Sequence, residues 1–214
     1  MPQLFSRRSN ILSKTLPLVI GATPLLIAWI AMNTTPWTHG TGVAPEQPAP
    51  FSHKRHVEDL GLDCRLCHTG VERTSFAGIP ATDTCFACHS QIWPNSPLIA
   101  AVRDSYALDR PIRWNRVNKL PDFVFFDHSI HVKKGVSCFT CHGKVDQMTL
   151  TYKDTAFEMK FCLKCHREPE KFVRPLSEIY NSAFVPPGGS QGEELVKEFD
   201  IRKEQLANCS VCHR

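Results

Sequence analysis

Leu16 to Met32 is a run of 17 uncharged, mostly apolar residues, interrupted only by Pro17 and Pro24. Arg7, Arg8 and Lys14 precede it with no acid among positions 1–14. The run is at the short end for a membrane helix and long for the core of a cleaved signal. Trp29 and Trp37 fall where an outer interface would lie, as in an aromatic belt. The pattern predicts a basic cytoplasmic terminus at 1–14, a transmembrane anchor at 15–33 and a linker at 34–50 rich in Thr, Gly and Pro. A domain on the far side of the membrane then occupies 51–214. A cleaved signal is the alternative; Ala28 and Ala31 are small, but no clean A-x-A site follows.

Beyond residue 50 the apolar pattern is sparse. Pro97 to Leu108 reads as a helix with Leu98, Ala101, Val102 and Tyr106 on one side. Pro186-Pro187-Gly188-Gly189 reads as a loop. Ser190 and Glu193 after it have capping-box spacing. Leu195, Val196, Phe199 and Leu206 then predict an amphipathic helix running into the last cysteine pair. Elsewhere the expectation is short helices and long loops, with very little sheet.

The cysteines change this picture. All ten lie in five copies of Cys-x-x-Cys-His: Cys64/Cys67/His68, Cys85/Cys88/His89, Cys138/Cys141/His142, Cys162/Cys165/His166 and Cys209/Cys212/His213. A disulfide framework or paired zinc knuckles would give no reason for the fifth residue to be His every time. Attachment of c-type haem does, because two thiols bind the porphyrin vinyls and the next His ligates iron. The reading is a multihaem cytochrome c with five covalently bound haems and one N-terminal membrane helix. The expected fold is mainly short α-helices and loops packed around the haems. At about thirty residues per haem, the haems themselves would form the apolar core. Haem is attached outside the bacterial cytoplasm, which puts the 51–214 domain on the periplasmic side of the inner membrane.

A repeat divides that domain. Phe51-Ser-His53-Lys-Arg-His56-Val57 precedes the first two motifs, and Phe126-Asp-His128-Ser-Ile-His131-Val132 precedes the next two, at offsets of 74–77 residues. Two dihaem modules, about 51–95 and 126–170, are therefore expected, with a fifth haem at the C-terminal end. A low-spin carrier needs a second axial ligand on each iron, usually His or Met. In H-x-x-H on one helical turn, both imidazoles lie on one face, so His53, His56, His128 and His131 are the distal candidates. For the fifth iron, Met148 and Met159 stand as near-equal candidates, one of the two being expected, with His39 in the linker as the remaining histidine.

The formal protein charge is +4. Five haems add about −10 through their propionates, leaving roughly −6 before the irons are counted. The basic excess therefore gives no support for a nucleic-acid partner. Arg110, Arg113 and Arg116, with Lys119, are expected to face propionates or a partner subunit.

The chain resembles the pentahaem cytochrome c subunit of bacterial alternative complex III, a quinol:electron-acceptor oxidoreductase. The resemblance rests on the N-terminal anchor, F-S-H-K-x-H-V at 51–57, and F-D-H-S-x-H-V at 126–132 leading to C-x-x-C-H-G at 138–143. Val145, Met148, and Met159 before C-x-x-C-H-R at 162–167 complete it. It implies a subunit that carries electrons onward and performs no catalysis on its own. The implied partners are an iron–sulfur subunit of molybdopterin-enzyme type, multi-span quinol-binding subunits and a monohaem cytochrome c. A soluble cytochrome c, a blue-copper protein or a terminal oxidase would receive the electrons. An autonomous membrane-anchored quinol dehydrogenase feeding a periplasmic reductase is the alternative. A pentahaem reductase that leaves one iron open is disfavoured, because all five motifs end in His.

Overall fold

The computed structural model describes residues 6–213, apart from the side chains of Arg7, Pro36 and Trp37. The aromatic-belt reading of Trp37 thus lies outside the described residues. The chain divides into a unit ending at Thr41 and a unit from Gly42 onward.

In the first unit, α1 (Arg7–Thr34) is opened by the Ser6 hydroxyl, which accepts from Ser9 N–H. It extends well before the apolar run because Arg8 to Lys14 are helix-compatible and no Pro intervenes until Pro17. Arg8–Thr34 is 27 residues long with a mean hydropathy of 1.9, long and apolar enough to cross a membrane. Pro17 and Pro24 sit inside it. Leu18, Leu25, Trp29 and Met32 are all exposed, an apolar surface on several sides that suits a lipid surround better than one protein face. A short 3₁₀ turn, Pro36–His39, follows.

The second unit is built from short helices: α2 (Cys64–Cys67), α3 (Thr82–His89), α4 (Ala100–Ala107), α5 (His128–Lys133), α6 (Cys138–His142), α7 (Met159–Arg167), α8 (Gly189–Glu198), α9 (Lys203–Leu206) and α10 (Cys209–Cys212). Among the described residues there is no strand, but there are isolated bridges, such as those between Val124 and His213 and between Val136 and Val173. The expectation of helices and loops with little β structure holds.

Side-chain packing gives this unit two small apolar clusters. Ala49, Ile99 and Val102 gather Cys85, Phe86, Ile112 and Trp114; Val71, Val132 and Ile179 gather Ala77 and Tyr180. Few other apolar side chains are buried. Two such clusters are far less than a domain of this length ordinarily buries.

The 90–125 insertion wraps the second motif. Tyr106 on α4 stacks on Phe86 of α3 with ring centres 3.9 Å apart, and the Ser105 and Thr82 hydroxyls meet at 2.6 Å. A 3₁₀ turn, Pro97–Ile99, precedes α4. Ile99 rather than Leu98 enters the cluster, because that turn rotates Leu98 outward, where it is exposed.

Three local expectations fail. His53 and His56 lie on a π-helical turn (His53 capping Lys54–Asp59), not an α-turn. Ser190 does not cap α8; Gly188 occupies the cap position and no side chain closes it. Nor does one helix reach the last motif. Asp200 takes a left-handed conformation (φ 47°), and Ile201 N–H folds back to the Val196 carbonyl at 2.9 Å. That bond pattern ends a helix, so α9 and α10 start afresh.

Gly135 shows how tightly the second module is tied down. Its φ is +79°, and a Cβ there would lie 2.6 Å from the Phe199 ring and 2.7 Å from the Arg174 carbonyl. Only glycine meets both demands.

Candidate haem-ligating centre

The five Cys-x-x-Cys pairs occupy the short helices α2, α3, α6, α7 and α10, and none forms a disulfide. On a helical turn, the two thiols and the next His share one side. Asp63 and Ser137 cap α2 and α6 by accepting from the residue two positions on.

The histidines that the sequence singled out come together in pairs. Ring centres are 6.5 Å apart for His53 and His68, 6.2 Å for His56 and His89, 6.4 Å for His128 and His142, and 6.3 Å for His131 and His166. A metal bound about 2 Å from one nitrogen of each of two opposed imidazoles sets ring centres roughly 6 Å apart. Each module therefore pairs its own two distal candidates with its own two motif histidines. The first pair of each module is almost coplanar, at 10° and 7°. The second is turned, by 57° and 22°.

The other ring nitrogen of each histidine is already engaged. Nδ1–H donates to a main-chain carbonyl in seven cases: His56 to Ser52, His68 to Gly78, His89 to Ile92, His128 to Ser75, His131 to Asp127, His166 to Leu206 and His213 to Phe123, at 2.7–3.3 Å. His53 Nδ1 meets the Thr151 hydroxyl at 2.9 Å, and His142 Nδ1 faces the Asn118 amide at 3.2 Å. A proton fixed on Nδ1 leaves the lone pair on Nε2, the tautomer an iron ligand requires. The donor set thus fits haem iron.

Two of these anchors cross between modules. His53 of the first is held by Thr151 of the second, and His128 of the second by Ser75 of the first. Phe51 and Phe126 clamp the distal rings in matching ways. Each stacks on the second histidine of its module (both 4.5 Å) and meets the first edge-on, at 4.9 and 4.7 Å. The repeated Phe was visible in the sequence, but its role was not. The carbonyl and Thr151 anchors have no sequence signature, since any residue supplies a carbonyl.

Burial pushes His53 and His142 down to about 4, and lowers His131 as well. Neighbouring rings add to it, His68 on His53 and His128 on His142. The thiols reveal which motifs are neighbours. Burial is the main cause that raises Cys85, Cys138, Cys141 and Cys162, but Cys85 also feels Cys67, Cys138 feels Cys64, Cys141 feels Cys165 and Cys162, and Cys162 feels Cys212. The motifs thus adjoin in the order second, first, third, fourth, fifth.

The fifth motif stands at one end. His213 is half-buried, with Phe123 as its ring neighbour at 5.8 Å. Cys212 and His213 hold the 123–125 segment through main-chain bonds. The two methionines are placed differently. Met148 is 3% exposed, and its carbonyl accepts from Lys54 N–H. Met159 is 60% exposed at the start of α7, one turn before Cys162. Arg110, Arg113 and Arg116 are exposed on the 110–119 loop. His39 belongs to the first unit.

Residues 124–214, which hold the second His pair and the last three motifs, match the family described as cytochrome c7 and related cytochrome c. The chain is also similar to the multiheme cytochrome c subunit of menaquinone reductase from Nitratidesulfovibrio vulgaris (strain Hildenborough), 41% identical over 98 residues. That match spans 45% of this chain and 46% of the relative, so the chain covers about half the length of the protein it resembles. Over part of its length the chain is thus similar both to cytochrome c7 and related cytochrome c and to a quinone-reductase subunit. The likeness and the five Cys-x-x-Cys-His motifs point to covalently bound c-type haem as the group these residues would hold.

The depressed histidines set a pH dependence. Unfolded, each ring would protonate near 6.5; folded, His53 and His142 resist protonation down to about 4. Their contribution to stability is therefore complete above about pH 6.5 and drains as pH falls through 4. The low-spin visible spectrum should hold from pH 7 to 5 and give way to high-spin haem only near or below pH 4. A transition centred on pH 6.5 would show that these rings are not buried ligands.

Proposed function

We propose that this chain is the membrane-anchored, five-haem electron-transfer subunit of a quinone oxidoreductase complex, and has no catalytic activity alone. The observation that carries the reading is the set of four imidazole pairs 6.2–6.5 Å apart, each ring anchored through Nδ1. Bound haem supplies one-electron redox chemistry; the chain's residues attach it, ligate it and exclude water.

In this reading Cys64, Cys67, Cys85, Cys88, Cys138, Cys141, Cys162, Cys165, Cys209 and Cys212 hold five haems. His68, His89, His142, His166 and His213 are the proximal ligands. His53 serves opposite His68, His56 opposite His89, His128 opposite His142 and His131 opposite His166. Met159 is the distal ligand of the fifth haem. It precedes Cys162 by one turn, and Cys162 neighbours Cys212. Met148 is a packing residue, fully enclosed against the first module. Thioether ligation raises a haem's potential, so the fifth haem is the high-potential end of the row. Arg110, Arg113 and Arg116 face a partner subunit or propionates.

The basic flank of α1 orients the chain with its N-terminus in the cytoplasm and residues 51–214 in the periplasm. The parent complex is either alternative complex III, oxidising quinol for a periplasmic acceptor, or a menaquinone reductase; the partial 41% identity favours the second direction. The partners would be an iron–sulfur subunit, multi-span quinone-binding subunits and a monohaem cytochrome c.

Met159→Ala should convert one haem to high spin and abolish the most positive wave in a redox titration, whereas Met148→Ala should leave the haem spectrum unchanged. The reverse result would move the ligand to Met148; no change in either would leave the fifth iron to another group.

Native electrophoresis of gently solubilised membranes, stained for haem, tests the complex. A large band with iron–sulfur and multi-span quinone-binding subunits is expected. Its activity, quinol oxidation or quinone reduction, then decides the direction. A small band of this chain alone would favour an autonomous quinol dehydrogenase.

A further inference from the structure

His142 differs from the other eight paired or motif histidines in one respect. Seven Nδ1 atoms meet a main-chain carbonyl and one meets a hydroxyl, whereas His142 meets a side-chain amide, the Nδ2 of Asn118 at 3.2 Å. The arrangement as it stands is electrostatically awkward. If Nδ1 bears the proton, two donors face each other; if it does not, the proton sits on Nε2 and His142 cannot bind iron. Asn118 Oδ1, meanwhile, is buried and has no hydrogen-bond partner. A half-turn of the amide resolves both conflicts. Oδ1 then accepts the Nδ1–H of His142, the buried oxygen is satisfied, and the Nε2 lone pair faces His128, whose ring is 6.4 Å away and only 7° from coplanar. Asn and Gln amide orientations are assigned from such networks.

We propose that Asn118 is the positioning residue of the third haem site: its Oδ1 fixes the tautomer and plane of His142 and, through the strength of that hydrogen bond, sets the potential of this haem. The inference rests on the His128–His142 ligand pair proposed above.

The route by which Asn118 arrives gives the 90–125 insertion a purpose. The insertion holds no haem motif. It wraps α3 with α4, puts Ile112 and Trp114 against the cluster beside Cys85, and delivers Asn118 to the next module. Arg110, Arg113, Arg116 and Lys119 lie on the outer side of the same loop. A main-chain carbonyl cannot be exchanged by substitution; a side-chain acceptor can. Replacing an amide oxygen with a carboxylate makes a stronger, charge-assisted bond to Nδ1–H, increases electron donation from the imidazole to iron and lowers the potential. Removing the acceptor frees the ring to rotate.

The test compares Asn118→Asp and Asn118→Leu in the haem-loaded, full-length protein, using redox titration followed optically and by electron paramagnetic resonance. With Asn118→Asp, one haem should move to lower potential while the others hold. With Asn118→Leu, the signal of that same haem should broaden or change its g-values, and its potential should not follow that of the Asp variant. The isosteric Asp variant keeps the test alive if the Leu variant loads haem poorly. His128→Ala is measured alongside. If it yields one high-spin haem and the Asp variant leaves every potential unmoved, Asn118 is merely structural and the inference fails. If His128→Ala leaves all haems low-spin, the ligand pair itself is wrong.

Discussion

Everything in the unit from Gly42 onward depends on where the second ring nitrogen of each histidine is tied. An imidazole has two nitrogens and, when neutral, one proton. Seven of the nine paired or motif rings commit Nδ1–H to a main-chain carbonyl, and His53 and His142 meet a threonine hydroxyl and an asparagine amide. That commitment leaves Nε2 facing inward and fixes the plane of the ring. The short helices, the left-handed glycines and the irregular loops are the backbone geometry that brings a carbonyl to the right place each time. A regular sheet or long helix spends its carbonyls on its own ladder; irregular chain has them to spare.

The same demand explains how the modules hold together. Among the described residues, side chains form only two small apolar clusters. The cross-anchors Thr151 to His53 and Ser75 to His128 mean that each module orients a paired histidine of the other. Cooperation between modules is thus built into the anchoring of the histidines and does not require a large shared core. Burial adds a second effect: by penalising the charged imidazolium, it keeps His53, His131 and His142 neutral, as a metal ligand must be.

Much of this was legible in the sequence, for reasons that differ by residue. The five motifs and the H-x-x-H pairs are local patterns, and their chemistry is written in residue identity. The helix of α4 and the amphipathic face of α8 follow from period. The end of α8 did not, because Asp200 in a left-handed conformation is not a standard stop signal, as a glycine would have been. The π-turn at Lys54–Asp59 was equally hidden, since its spacing is that of an α-turn. Partner choice between rings, such as His56 with His89, needs three-dimensional proximity. So does the difference between an enclosed Met148 and an exposed Met159, which the sequence left level. Asn118 is twenty-four residues from His142 in a stretch read only for its charge, and its side chain carried no pattern that could have marked it.

The central claim is that four irons are each clasped between two anchored imidazoles, and that the fifth is not. Near-infrared magnetic circular dichroism of the oxidised, full-length protein tests it most directly, because bis-histidine and histidine–methionine haems absorb at different energies. Combined with a haem-to-protein ratio, the spectrum should give five haems per chain, four bis-histidine and one histidine–methionine. Fewer than four bis-histidine haems, or a haem count below five, would contradict the ligand pairing on which the account rests.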